Sequence, residues 1–299
     1  EIPLRLVGSE MCIRDSDKTA LIIEGGGSRG VFSFGVIDTF IKNQFDPFNL
    51  YIGVSNGAVV LNWFLIKEQD YNLEKMLFSA NKKYVSYLNF FKGKSIIDFE
   101  GIYKDGRDKF KPDPYKIKKN LHSKELYLAA TEASSGKASY LKFDTEQWFE
   151  QMIASGTLPL IVRKPSILNQ VRYFDGGIAD PIPAKKAYDL GAKKIIVIRT
   201  YEKKFVRTNK IENYLSAIFI AKYPKLSKAL INHAKTYNEC LNFIQNPPSD
   251  CEIVQICPPN RLKVKRDTID HDLLKEGYQI GINSAINFMD NNSNLFPSK

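Results

Sequence analysis

Leu50-Tyr51-Ile52-Gly53-Val54-Ser55-Asn56-Gly57-Ala58-Val59-Val60-Leu61 is an apolar run, a serine bracketed by glycines, and a second apolar run. The pattern reads as strand, sharp turn, helix. A G-x-S-x-G stretch in that setting is the form of a nucleophile elbow. Gly53 and Gly57 let strand and helix approach closely and tolerate the strained backbone such a turn imposes. The turn would put the Ser55 hydroxyl at a helix N-terminus, where developing negative charge is stabilised. The pentapeptide alone equally admits a glycine-rich turn with an idle serine, so the rest of the chain must decide.

Upstream, the short apolar strand Thr19 to Glu24 runs into Gly25-Gly26-Gly27-Ser28-Arg29-Gly30, and helical spacing follows from Val31 to Ile41. The loop formally matches G-x-G-x-x-G, a dinucleotide-binding pattern. That use needs an acidic residue at the end of the second strand to hold a ribose. The second strand ends instead in Gly53-Val54-Ser55. The competing use is an oxyanion hole, in which consecutive glycines aim several N–H groups at one oxygen, with Arg29 adding positive field. Close strand–helix packing alone would also explain three glycines.

Ser55 needs a base to become a useful nucleophile. His122, His233 and His271 are the available histidines, and each sits in a lysine-rich turn or a helical segment, not in a strand-end motif. Asp175 is the better candidate. It ends the apolar run Val171 to Phe174 and is followed by Gly176 and Gly177, which leave its carboxylate accessible. An ordinary Asp-Gly turn is the other reading.

Composition narrows the classes. The chain has 299 residues, 43% hydrophobic and 25% charged, ordinary for a globular protein of one or two domains. Lys and Arg number 43 against 33 Asp and Glu, a balance of +10 that suits anionic partners such as lipid headgroups. The four cysteines, Cys12, Cys240, Cys251 and Cys257, form no C-x-x-C pair and no zinc-ligand spacing, and their sparse use fits a reducing compartment. No apolar run reaches the length of a membrane span. Residues 1–16 show neither a signal-peptide core nor periodicity, and Arg5 to Ser16 reads as a non-native lead of translated adapter sequence, set aside from the fold argument.

The first half therefore reads β-α-β-α, which implies a parallel sheet with right-handed crossovers. Tyr71 to Tyr87 is expected to be helical. Leu88 to Pro114, rich in aromatics, is either an irregular excursion with its own small core or a cap lining an apolar channel. Glu125 to Thr131 and Ser139 to Phe143 read as a hairpin, and Thr145 to Ala154 as a helix. Lys194 to Arg199 reads as a buried parallel strand. After about Tyr201 the pattern becomes mostly helical and lysine-studded, with a last strand at Cys251 to Ile256, a basic cluster at Arg261 to Arg266 and a terminal helix from Asp270 to Met289. The simplest organisation is one α/β domain over residues 17–200, with a helical extension over 201–299 packed on it. Nucleic-acid binding at Arg261 to Arg266 would have charge alone behind it and is not expected.

The ordered trio of Gly25-Gly26-Gly27-Ser28-Arg29-Gly30, Gly53-Val54-Ser55-Asn56-Gly57 and Asp175-Gly176-Gly177 resembles the patatin-like phospholipase family. The likeness spans about Lys18 to Thr200, and the stretches Phe45 to Phe48, Ser155 to Pro159 and Asp180 to Pro183 look like its bacterial branch. The resemblance implies a three-layer α/β/α sandwich with a mostly parallel central sheet. It implies a Ser-Asp dyad without histidine: Ser55 the nucleophile, Asp175 the base, and Gly25, Gly26 and Gly27 with Arg29 the oxyanion site. It implies hydrolysis of lipid carboxylic esters with no metal and no cofactor, and a phospholipid or other lipid ester as substrate; separately, the sparse cysteines lead us to expect a cytoplasmic protein, and the basic balance peripheral contact with anionic membranes. A non-catalytic lipid- or nucleotide-binding module on the same fold is the rival expectation. One departure stands out: Asn56 follows the serine where the family commonly has a small residue such as alanine.

Overall fold

The apolar runs around the three glycine motifs become neighbouring strands. The computed structural model describes residues 18–68, 72–92, 95–159, 161–162, 164–209 and 211–292. Cys12 and the lead at 1–16 lie outside them. Eight strands form one sheet: β1 Lys18–Ile23, β2 Leu50–Val54, β3 Glu125–Glu132, β4 Ala138–Lys142, β5 Ser166–Leu168, β6 Val171–Asp175, β7 Ala192–Ile198 and β8 Glu252–Ile256. Their order is β5-β6-β3-β2-β1-β7-β8, with β4 also pairing β3. The run β3-β2-β1-β7-β8 is parallel throughout, and β4, β5 and β6 join antiparallel at one side.

Helices cover both faces, because strands apolar on both sides need two cores. One core gathers Leu21, Ile23, Phe32, Phe40, Tyr51 and Phe64, and the other Ala20, Ile22, Leu50, Ile52, Val197 and Tyr237. Consecutive β1 residues thus point to opposite cores, as the period of a strand requires.

Register sets the functional edge. Ile23 lies opposite both Gly53 and Ile198, and Ala130 lies opposite Asp175. The residues that follow β1, β2 and β7 therefore leave the sheet side by side, which brings Gly25, Ser55 and Thr200 to one edge.

The C-terminal region is built into this frame. Strand β8 pairs along β7 from Lys194 to Ile198. Helix His271–Asn292 lies against helix Val31–Lys42 so closely that a Cβ at Gly35 would stand 2.1 Å from the Tyr278 carbonyl oxygen, and one at Gly281 2.1 Å from that of Phe32.

Two helices differ from expectation. The helix expected over Tyr71 to Tyr87 spans Asn72–Ser79, and residue 71 is not among those described. It ends where the Asn81 side chain accepts from the Lys83 N–H and Val85 bridges to Ile97, a turn that competes with further helix. The helix expected from Thr145 starts at Trp148, because the Asp144 carboxylate holds the N–H groups of Glu146 and Gln147 in a turn.

Candidate active site

Strand β2 ends at Val54 and helix Asn56–Ile66 begins at Asn56, leaving Ser55 alone in the turn. Its φ is 54° and ψ −126°, a conformation that non-glycine residues adopt only when the surroundings force it. The forcing is visible on both sides. A Cβ at Gly53 would stand 2.5 Å from Ala58 Cα, and one at Gly57 2.2 Å from the Ile23 carbonyl oxygen. The Ser55 N–H donates to Ser155 Oγ at 2.9 Å, and that hydroxyl donates to the Ala129 carbonyl at 2.7 Å. Ser155 thus ties the turn to β3.

Asp175 ends β6 and is 6% exposed. Its backbone is fixed at both ends: the N–H donates to the Thr157 carbonyl, and the carbonyl accepts from Thr131 Oγ1, each at 2.8 Å. Its Oδ1 accepts from the Gly177 N–H at 2.8 Å, and Gly176 presses so close to Ala129 that a Cβ would meet that carbonyl at 2.2 Å. Burial pushes the carboxyl above its ordinary range, partly offset by the Ser55 hydroxyl, the Gly177 N–H and the positive charge of Arg266. Ser55 and Asp175 therefore face each other. The Ser55 hydroxyl acts on that carboxyl as a hydrogen-bond partner.

The glycine loop closes the third side. A Cβ at Gly25 would stand 2.8 Å from Ser55 Cβ, so backbone there touches the serine directly. Among the described residues, the N–H groups of Gly25, Gly26 and Gly27 donate to no backbone carbonyl outside the regular helices and strands. Asn56, the departure noted in the sequence, holds this loop: its Nδ2 donates to the Gly27 carbonyl at 2.8 Å, and a Cβ at Gly30 would collide with it at 1.9 Å. Fixing that carbonyl fixes the peptide planes on either side. Gly27 itself has φ +57°, and a Cβ there would meet the Arg266 carbonyl at 2.4 Å.

The Arg29 side chain turns to Tyr201. Its guanidinium sits 4.3 Å from the centre of the Tyr201 ring, and burial lowers its pKa. Arg266 lines the Ser55 cavity together with Lys75, Lys104 and Arg107, and its carbonyl also accepts from the Ser28 N–H at 2.8 Å. Glu24, just before the loop, is buried and accepts from the Thr200 N–H and the Tyr237 hydroxyl, each at 2.7 Å. The C-terminal region thus braces the glycine loop at Arg266 and Tyr237. Sequence reasoning missed Ser155, Thr131, Thr200, Tyr237 and Arg266. Ser155 lay in a recognised stretch and Arg266 in a recognised basic cluster, but nothing local pointed either toward Ser55.

Ser55, Asn56 and Gly27 open onto a cavity of about 770 Å³. Its walls are mainly apolar, including Trp63, Met76, Phe99, Phe110, Phe149 and Met152. Phe99 and Phe110 bound the helix Phe99–Phe110, so the later part of the aromatic stretch Leu88 to Pro114, from Ile97 onward, lines the cavity beside the serine. The histidines do not line it. Burial, helped by the charges of Arg207 and Arg266, pushes the His233 pKa down to about 3, and His271 Nε2 lies 3.2 Å from the Ala80 carbonyl.

A strained serine turn on a mostly parallel sheet, facing an apolar cavity, defines an α/β protein with a site shaped for an apolar ligand. Residues 21–188 match the model of the patatin-like phospholipases, and the chain belongs to that family of lipid ester hydrolases. Residues 223–296 match a domain of unknown function, DUF6363. The uncharacterized protein YjjU of Escherichia coli (strain K12) is 29% identical over 270 residues, covering 88% of this chain and 75% of the relative. VipD from Legionella pneumophila, of known crystal structure, superposes with a TM-score of 0.45 at 13% identity, over 92% of this chain and 67% of that one.

Proposed function

We propose that the protein is a serine acyl hydrolase that cleaves carboxylic esters of lipids through Ser55 and Asp175. The observation that carries this reading is a strained serine that opens onto an apolar cavity, with the buried Asp175 carboxyl interacting with its hydroxyl and the glycine loop packed against its Cβ. The acyl chain occupies the cavity and the ester carbonyl lies over Ser55. Ser55 Oγ attacks the carbonyl carbon as its proton passes to Asp175, whose buried carboxylate is a stronger base than an exposed one. The N–H groups of Gly25, Gly26 and Gly27 receive the oxyanion. The C–O bond breaks, the leaving alkoxide takes the proton from Asp175, and an acyl-serine remains. Water then gives a proton to Asp175 and adds to the acyl carbon, and Ser55 leaves with that proton restored. Arg29 acts through the loop it follows, and Arg266 supplies the positive field at the serine.

The phospholipid class follows from the family and from the cations at the cavity. The test is hydrolysis of a lipid ester panel by the wild type and by Ser55→Ala. Release of fatty acid by the wild type alone supports the reading, and equal release by both sinks it.

A further inference from the structure

Helix Ile211–Phe219 carries apolar residues on two sides. Its inner side, Ser216 and Ala217 with Ile220 just beyond, packs on Phe174 and Ile178, which flank Asp175 and the turn after it. Its outer side faces water: Ile211 is 75% exposed, Ile218 72%, Leu215 53% and Tyr214 43%. These four recur at the spacing of one helical face. Val206, a few residues earlier, is 64% exposed.

Charge singles out what covers this face. Residues 203–231 contain seven Lys and Arg against a single Glu, so they supply more than half of the chain's +10. Lys203, Lys204, Lys222, Lys225 and Lys228 are exposed and have no carboxylate within ion-pair distance among the described residues. An exposed apolar stripe edged by unpaired lysines matches an anionic bilayer, whose headgroups take the cations and whose acyl boundary takes the side chains. A helix of nine residues is too small for the roughly 1,200–2,000 Å² that a stable protein interface buries.

We propose that helix Ile211–Phe219, with its flanking lysines, docks the protein on the surface of an anionic phospholipid bilayer. This rests on the proposed lipid-ester activity for its purpose, since the same helix packs against the strand that carries Asp175. Docking there holds the body that carries Asp175 at the bilayer surface.

The test is co-sedimentation of the full chain with vesicles of ether-linked phosphatidylcholine, with and without ether-linked phosphatidylglycerol, which no esterase can cleave. The wild type is expected to bind the anionic vesicles and to release as salt rises. Leu215→Glu with Ile218→Glu should weaken partitioning roughly tenfold or more. Lys222→Glu, Lys225→Glu and Lys228→Glu together should weaken it on the order of a hundredfold. Should a charged variant fail to fold, Ile218→Trp serves instead, with a fluorescence blue shift expected on anionic vesicles. Absence of wild-type binding, equal binding by the charged variants, or no blue shift overturns the proposal. So does light scattering that shows a wild-type dimer which Leu215→Glu makes monomeric, because a second copy then covers the face. Hydrolysis of a soluble short-chain ester by the wild type tests the activity separately, so failure of either idea is distinguishable from failure of the other.

Discussion

At the Ser55 elbow, backbone meets backbone. A Cβ on Gly57 would stand 2.2 Å from the Ile23 carbonyl oxygen, and one on Gly176 would stand 2.2 Å from that of Ala129. In the wall of the neighbouring cavity, side chain meets side chain. Phe78 and Phe110 pack with ring centres 5.3 Å apart, and a Cβ on Gly106 would find only Phe78, at 3.6 Å. Both regions border the same cavity, yet they respond to change differently. Backbone has nowhere to move, whereas aromatic rings can turn. The rigid region fixes where bonds are made and broken; the compliant one sets which acyl chains fit.

The largest expected effect lies at the rigid edge. Asp175→Asn keeps an acceptor for the Gly177 N–H but removes the base, and kcat should fall about 10³–10⁴-fold. The same substitution should leave the protein more stable at neutral pH. Burial raises the Asp175 pKa above 3.8, so the native state holds that proton more tightly than the unfolded chain. Its contribution to stability is complete below the unfolded value and is lost as pH rises through the folded one. Thermal unfolding of both forms across pH checks this, with their curves converging in acid. The kcat/KM of the wild type should rise with pH through that elevated value, because the base must be ionised.

Gly57→Ala comes next. The collision with the Ile23 carbonyl should cost about 3 kcal/mol of stability, read from urea unfolding. An unchanged midpoint would show that the elbow yields more than its contacts imply. Asn56→Ala is expected to lower kcat roughly tenfold with KM held, through loss of the bond to the Gly27 carbonyl. Asn56→Asp has no donor for that carbonyl and should restore nothing; a lowered KM instead would mark Asn56 as mere bulk in the cavity.

The smallest effect lies in the compliant wall. Gly106 sits inside helix Phe99–Phe110, where alanine meets only ordinary contact and gains helix propensity. Gly106→Ala should stabilise by about 0.5–1 kcal/mol. Opposite signs at Gly57 and Gly106 are what the comparison requires, and equal losses at both would break it.

The same contrast explains what could be read from the chain. Glycine motifs are local, because a backbone approach that excludes Cβ writes itself into one position. The tight packing at Gly25, Gly53 and Gly57 is therefore legible, as is a mostly parallel sheet from alternating apolar runs and glycine turns. Long-range partners leave no such mark. Ser155 reaches Ser55 across 100 residues, and Tyr237 reaches Glu24 across 213. Arg266 looked like part of a solvated basic run until Gly27 was seen against its carbonyl. Asn56 stands out in the motif as a departure from a small residue, but nothing local shows that its amide holds the glycine loop. Arg29, read as part of the oxyanion site, stacks on Tyr201, because a ring from beyond the first domain was not visible in a local motif.

The central claim is that Ser55 is an activated nucleophile with Asp175 as its base. Labelling with a fluorophosphonate, followed by peptide mass spectrometry, tests it directly. The account predicts a single phosphonylated site at Ser55 in the wild type, strongly slowed labelling in Asp175→Asn and none in Ser55→Ala. A wild type that stays unlabelled, or a Ser55→Ala protein that labels equally well, would contradict it.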